Sequence, residues 1–227
     1  MTTAKKALVI GASRGLGLGL VERLSEDGWE VTATVRDLGN VPAGLTATGA
    51  TVEALEMTRL ESMDALAQRL QQQRFDLLFI NAGVSGPAGY NTDQASDAQI
   101  GELFVINAVA PIRLAQRLAG NVADGGAIAF MSSVLGSVAM PEGSPMALYK
   151  ASKAALNSMT NTFVTELARP ALTVLAMHPG WVKTDMGGEG ASLDVATSTR
   201  GLVDVITGQL GKGGLQFLDY KGDKIDW

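Results

Sequence analysis

A short apolar run, Ala7-Leu8-Val9-Ile10, leads without a break into Gly11-Ala12-Ser13-Arg14-Gly15-Leu16-Gly17. Beyond it, apolar residues recur at Leu16, Leu20, Val21 and Leu24, and Gly28 follows. Four apolar residues bounded by glycine read as a buried strand; the later spacing is helical, with glycine as its stop. A strand joined to a helix through three glycines narrows the choice of fold sharply. Glycine permits the tight bend and lets a pyrophosphate approach the helix N-terminus, whose unpaired N–H groups favour anions. The spacing is G-x3-G-x-G, not the G-x-G-x-x-G of many dinucleotide sites, so its weight comes from the strand and helix on either side. Gly11, Ser13, Arg14, Gly15, Leu16 and Gly17 are the candidate phosphate contacts.

The alternation continues along the chain. Further strands are expected at Glu30–Val35, Thr51–Leu55, Phe75–Ile80, Ala127–Met131, Leu172–Met177 and Leu215–Leu218. Helices are expected at Leu60–Gln72, with Leu60, Met63, Leu66, Ala67 and Leu70 inward, and at Asp97–Ala119, with a kink tolerated at Pro111. Two more are expected at Leu148–Leu167 and Leu193–Gln209. Apolar strands alternating with helices describe an α/β fold: a Rossmann-type, doubly wound parallel sheet of about seven strands, flanked by helices on both faces. No linker or repeat interrupts it, so residues 1–227 read as one dinucleotide-binding domain. Segments 84–97, 134–147 and 181–195 are the expected substrate loops.

Composition removes several chemistries. There is no Cys, which excludes disulfides, thiolate metal sites and cysteine nucleophiles. His178 is the only histidine, so neither a zinc cluster nor a serine-protease triad can be assembled, and no metal site is expected. Net charge is −5 with Lys and Arg scattered, which argues against a nucleic-acid face. The apolar run before Gly11 is too short for a signal peptide, and no uninterrupted apolar stretch is long enough for a membrane span. The expected location is cytoplasmic.

Sites for NAD usually carry an acid at the end of the second strand to take the ribose 2′-hydroxyl. Here that place holds Val35 followed by Arg36, while Arg14 projects from the glycine turn. Two guanidinium groups converging there suit a 2′-phosphate through forked hydrogen bonds, so NADP(H) is expected over NAD(H). Further on, Tyr149 and Lys153 sit four apart in an Ala/Leu/Lys-rich run, on one face of a helix. A phenol held beside an ammonium in a partly desolvated cleft is an acid–base device. Alone, such a pair is more often exposed helix decoration.

In company it is not alone. The chain resembles the short-chain dehydrogenase/reductase family over its whole length, through Gly11-x3-Gly15-x-Gly17, Asn81-Ala82-Gly83, Asn107, Ser132-Ser133, Tyr149-x3-Lys153 and Pro179-Gly180 in the family's order. The run His178–Gly188 and an ending like Phe217…Asp226-Trp227 look most like its C-factor and sniffer-like carbonyl reductase branch. The resemblance implies a catalytic set of Asn107, Ser133, Tyr149 and Lys153. Tyr149 would be the general acid, Lys153 would assist it and hold the nicotinamide ribose, and Ser133 would steady the substrate oxygen. Asn107 would support a water leading protons to Lys153, or bond the backbone of a neighbouring strand, two roles that are compatible. Asn81, Ala82 and Gly83 would lie under the cofactor, and Pro179, Gly180, Val182 and Thr184 would wrap its nicotinamide and diphosphate. Glu56 and Met57 stand where the family's adenine pocket usually has an Asp, and the longer Glu makes that contact less secure. His178 reads as structural. Ser133 to Tyr149 is a few residues longer than the common spacing, the extra length falling in Ser137–Pro145.

Val134, Leu135, Met140, Trp181 and Met186, with Ser133 and Tyr149, would line an apolar substrate pocket. The expected activity is NADPH-dependent reduction of a small ketone, aldehyde or quinone. The alternatives are an NAD(P)+-dependent alcohol dehydrogenase working oxidatively and a non-enzymatic redox sensor that binds the same cofactor. The family often associates through its long helices, here through Ala154, Ala155, Met159 and Phe163, which implies a homodimer or homotetramer.

Overall fold

Both faces of each central strand are apolar, and the fold buries both. The computed structural model describes residues 4–86, 92–140 and 146–227. Seven strands, β1 (Lys6–Ile10), β2 (Glu30–Val35), β3 (Thr51–Ala54), β4 (Phe75–Ile80), β5 (Val122–Met131), β6 (Thr173–His178) and β7 (Gly214–Asp219), form one sheet. Every neighbouring pair is parallel, and the order is β3-β2-β1-β4-β5-β6-β7. The helices are α1 (Gly15–Glu26), α2 (Ala43–Ala47), α3 (Leu60–Arg69), α4 (Asp97–Phe104), α5 (Ala110–Leu118), α6 (Ala147–Leu167) and α7 (Val195–Gln209).

Leu8, Ile10, Leu78, Ile80, Ile128 and Phe130 point to the side covered by α3, α5 and α6. Ala7, Val9, Leu77, Phe79, Ala129 and Leu175 point to the other, under α1, α2 and α7. Each large apolar side chain so enclosed contributes roughly 1.5–3 kcal/mol relative to exposure. Phe163 of α6 packs edge-on against Phe130, with ring centroids 6.1 Å apart. Only 2% of Phe163 is exposed, so it belongs to the core and not to the association face expected for it. Ala155 and Met159 are also partly engaged with that core.

The expected Asp97–Ala119 helix is interrupted. Ser96 and Gln99 form a reciprocal capping box at the start of α4. A π-turn over Val105–Val109 then precedes α5, in which the Ala110 N–H bonds back to the Val105 carbonyl. Pro111 supplies the reason. Its ring would strike the carbonyl four residues back, that of Asn107, and it has no N–H to continue the ladder. The helix widens before Pro111 in place of kinking at it. The run Asp97–Asn121 is long and apolar enough to cross a membrane by composition, yet Leu103, Ala108, Ile112, Leu114 and Leu118 lie in the core.

Two smaller corrections follow. Leu60 opens α3 and is 41% exposed, so the inward stripe begins at Met63. Strand β5 starts at Val122, five residues before the apolar run, because Val122 pairs with Phe75 across a register slip. Parts of the expected substrate loops, 87–91 and 141–145, lie outside the described residues.

Candidate active site

Strand order reverses between β1 and β4: the chain leaving β1 forms α1 on one face, and the helices after β4 lie on the other. A crevice opens where two such connections part, and ligands of open α/β sheets bind there. Its edges are stitched together. The Asn81 N–H donates to the Ile10 carbonyl at 3.1 Å, and the Asn81 side-chain amide donates to the Gly11 carbonyl at 2.9 Å. The Gly11 N–H donates to Thr34 Oγ1 at 3.0 Å. Gly11 has φ +82°, and a Cβ on Gly17 would stand 2.0 Å from the Gly11 oxygen, so neither position admits a side chain. Arg14 is the N-cap of α1 and gives no side-chain cap, which leaves the first-turn N–H groups of Gly15, Leu16 and Gly17 for an anion. A dinucleotide pyrophosphate fits this cradle.

The two expected 2′-phosphate ligands are placed differently. Arg36 is exposed just beyond β2. The Arg14 guanidinium pairs with Asp185, a residue the sequence did not single out. Asp185 belongs to a segment that folds back on itself. The Leu193 N–H donates to the Trp181 carbonyl, the Lys183 N–H donates to the Leu193 carbonyl, and Trp181 Nε1 donates to the Gly187 carbonyl at 2.9 Å. Thr184 of this segment lies 3.5 Å from where a Gly15 Cβ would be, so Thr184 overhangs the phosphate turn. Val182 is buried, Pro179 accepts a hydrogen bond from Ser198 Oγ at 2.7 Å, and Gly180 has φ +81°. Ser13 is exposed beside Arg14. Glu56 turns its carboxylate to Thr58, and Met57 is core, so those two could meet an adenine mainly through main chain.

Helix α6 builds the other half. Tyr149 and Lys153 share a face, both buried, with Lys153 Nζ 5.7 Å from the Tyr149 ring centroid. Lys153 Nζ donates to the Met131 carbonyl at 2.8 Å. Asn107 Oδ1 and Lys153 Nζ lie 3.3 and 3.4 Å from where a Gly83 Cβ would be, so Gly83 is small because both polar groups crowd it. Asn107 is fully buried in the π-turn. It accepts from the Val84 N–H at 2.9 Å and donates to the Val84 carbonyl at 2.8 Å and to Ser152 Oγ at 3.0 Å. It therefore fixes the loop after β4 to α6, bonding loop backbone where a strand backbone was the expected alternative partner.

The two adjacent serines separate cleanly. Ser132 Oγ donates to Asn157 Oδ1 at 2.7 Å and is committed to structure. Ser133 Oγ accepts from the Leu135 N–H at 3.2 Å, which leaves its own proton to offer. Asn157 also donates to the Gly136 carbonyl at 3.3 Å, clipping the Ser133–Gly136 turn onto α6. Ser152 and Asn157 were not read from the sequence as site residues, although both fall on the Tyr149–Lys153 face at helical spacing. Val134 and Leu135 are half-buried, whereas Met140, Trp181 and Met186 are exposed and form a rim more than a lining.

Burial lowers the Lys153 pKa to about 8. His178, at the end of β6, is lowered to about 4 by burial, against a weaker opposite pull from Asp219, and its Nδ1 has no partner among the described residues. Unfolded, His178 would titrate near ~6.5, so between the two values the unfolded chain binds the extra proton. Stability from the neutral ring is complete above pH ~6.5 and is lost as pH falls toward 4, by about 2–3 kcal/mol. Urea midpoints at pH 7.5 and 4.5 should therefore converge for His178→Gln relative to the native protein; parallel losses in both would refute this.

The family model for short chain dehydrogenase matches residues 5–192. C-signal of Myxococcus xanthus is 34% identical over 167 residues, covering 73% of this chain and all of that protein. A short-chain dehydrogenase/reductase of Burkholderia multivorans, solved with bound NADP, superposes with a TM-score of 0.94 at 37% identity, covering 99% of this chain and all of the other. A carbonyl reductase of Pseudomonas aeruginosa PAO1 in complex with NADP gives 0.92 at 36%, with coverage of 99% and 100%. The glycine cradle, the Tyr149–Lys153 face and these likenesses agree: the chain belongs to the short-chain dehydrogenase/reductase family.

Proposed function

We propose that the protein is an NADPH-dependent reductase of a small, apolar ketone, aldehyde or quinone, with Tyr149 as general acid. The observation that carries this is the placing of Tyr149 and buried Lys153 on one face of α6, with Lys153 beside Gly83 at the crevice. When bound, NADPH supplies the hydride. Gly11, Gly15, Leu16 and Gly17 would hold its pyrophosphate, with exposed Arg36 on the 2′-phosphate and Arg14 joining it by exchanging its partner Asp185 for that phosphate. Asn81, Ala82 and Gly83 would pass beneath it, and Pro179, Gly180, Val182 and Thr184 would cover its far end. That two relatives were solved with NADP supports this choice of cofactor.

Tyr149 gives its hydroxyl proton to the carbonyl oxygen as the carbon receives hydride, which balances as C=O plus hydride plus proton to give an alcohol. The Lys153 charge steadies the phenolate left behind. The Ser133 hydroxyl donates to the same substrate oxygen, countering the charge that develops there. The exposed rim of Met140, Trp181 and Met186 favours an apolar substrate. Loss of NADPH absorbance with a panel of ketones, aldehydes and quinones tests the reading. NADPH is expected to be preferred to NADH, and at least one class to be turned over. Cofactor binding with no turnover across the panel would instead favour a sensor.

A further inference from the structure

Strand β7 is the edge of the sheet, and the chain after it turns back to cover that edge. Asp219 organises the turn: its Oδ1 accepts from the N–H groups of Lys221 at 2.8 Å and Asp223 at 2.9 Å. Its own N–H donates to the Asp223 carbonyl. Lys224 then pairs antiparallel with Leu218, and the Ile225 N–H donates to the Phe217 carbonyl at 3.0 Å. An edge strand presents unpaired backbone groups, and this return segment takes up those of Phe217 and Asp219 at the end of β7.

The segment does more than close an edge. At its start, Tyr220 packs against Gly180, where an added Cβ would sit 3.1 Å from the ring. At its end, the Trp227 ring lies on Phe217, with centroids 5.2 Å apart and planes 36° apart. The Trp227 carbonyl accepts from the Ala139 N–H at 3.0 Å. Ala139 follows Ser133 by six residues, in the Ser137–Met140 segment whose Val138 and Met140 are exposed. One short return segment thus touches two segments that continue from site residues: Gly180, at the root of the Trp181–Leu193 fold, and Ala139, beyond the Ser133 turn.

We propose that Trp227 is a positioning residue. Anchored on Phe217, it fixes the Ser137–Met140 wall and so sets the size of carbonyl compound the site accepts. This rests on the reading of the site as a carbonyl reductase. A buried ring such as Phe217, which is 2% exposed, gives Trp227 a firm seat. The Ser137 N–H bonds to the Val134 carbonyl and the Met140 N–H to Ser137 Oγ, both local contacts. Among the described residues, the Ala139 bond to Trp227 is therefore the one that ties this wall to a distant part of the chain, and it loosens when that seat is lost.

Two measurements on the full chain decide it. Hydrogen exchange at the Ala139 amide should speed up at least about tenfold in Trp227→Ala and stay near native in Trp227→Phe, which keeps an aromatic seat. In the kinetic arm, KM for bulky apolar ketones should rise about tenfold in Trp227→Ala, with little change for the smallest ketone and none in NADPH affinity. Unchanged exchange at Ala139 would overturn the proposal. So would equal losses for small and bulky ketones, or a change that Trp227→Phe does not rescue. Should the native protein reduce no carbonyl at all, the functional reading fails, while exchange at Ala139 still decides whether Trp227 holds this wall.

Discussion

Tyr149→Phe will lower kcat/KM for carbonyl reduction about a thousandfold, or ~4 kcal/mol of transition-state stabilisation, within the range typical of a positioned general acid. The buried aromatic ring remains, so core packing on α6 is retained and the thermal midpoint should change little. NADPH affinity should also hold, because the phosphate cradle lies across the crevice on β1 and α1. Steady-state kinetics together with fluorescence titration of NADPH separate these effects. If the Phe variant retained a tenth or more of native turnover, the proton would have to come from elsewhere.

Lys153→Met is expected to abolish turnover and yet stabilise the cofactor-free protein. Burial holds the Lys153 pKa near 8, while the unfolded chain keeps that proton to ~10.5. Between these values the unfolded state binds more protons, so stability rises with pH across that window. At pH 7 the ammonium is charged in both states, and the folded state bears its full desolvation cost, up to about 3 kcal/mol. Losing the hydrogen bond to the Met131 carbonyl offsets about 1 kcal/mol of that, because an acceptor is left unpaired. The net expectation is roughly 2 kcal/mol of added stability at pH 7, shrinking as pH passes 8 and approaches 10.5. Urea midpoints at pH 7 and 10 measure it. A less stable Met variant at pH 7 would mean that the folded protein solvates this ammonium well. Both outcomes together would set activity against stability at this residue, as often happens where a site needs a buried charge.

The strands were legible because they are apolar on both faces, and β2 and β4 match their expected limits. The early start of β5 was hidden, since Asp124-Gly125-Gly126 carries no apolar alternation and joins only through its pairing with β4. The spacing of Tyr149 and Lys153 put them on one helix face, and only the accompanying family motifs made them site candidates. Ser152 and Asn157 could have been read too, since polar residues on the inward face of a helix need partners. Asp185 could not, because its meeting with Arg14 depends on the fold of the Trp181–Leu193 segment. The return segment after β7 was equally hidden, being too short and polar to show a period.

The π-turn has a consequence for how this helix compares with others. With the Ala110 N–H reaching five residues back, one residue is surplus to the α-helical count, and the two halves differ in phase by about 100°. Pairing it with an uninterrupted helix therefore demands a gap somewhere in Val105–Val109. A deletion of one residue there, even one that keeps every side chain named in the site, would swing Asn107 away from Val84 and unfasten the loop beside Lys153.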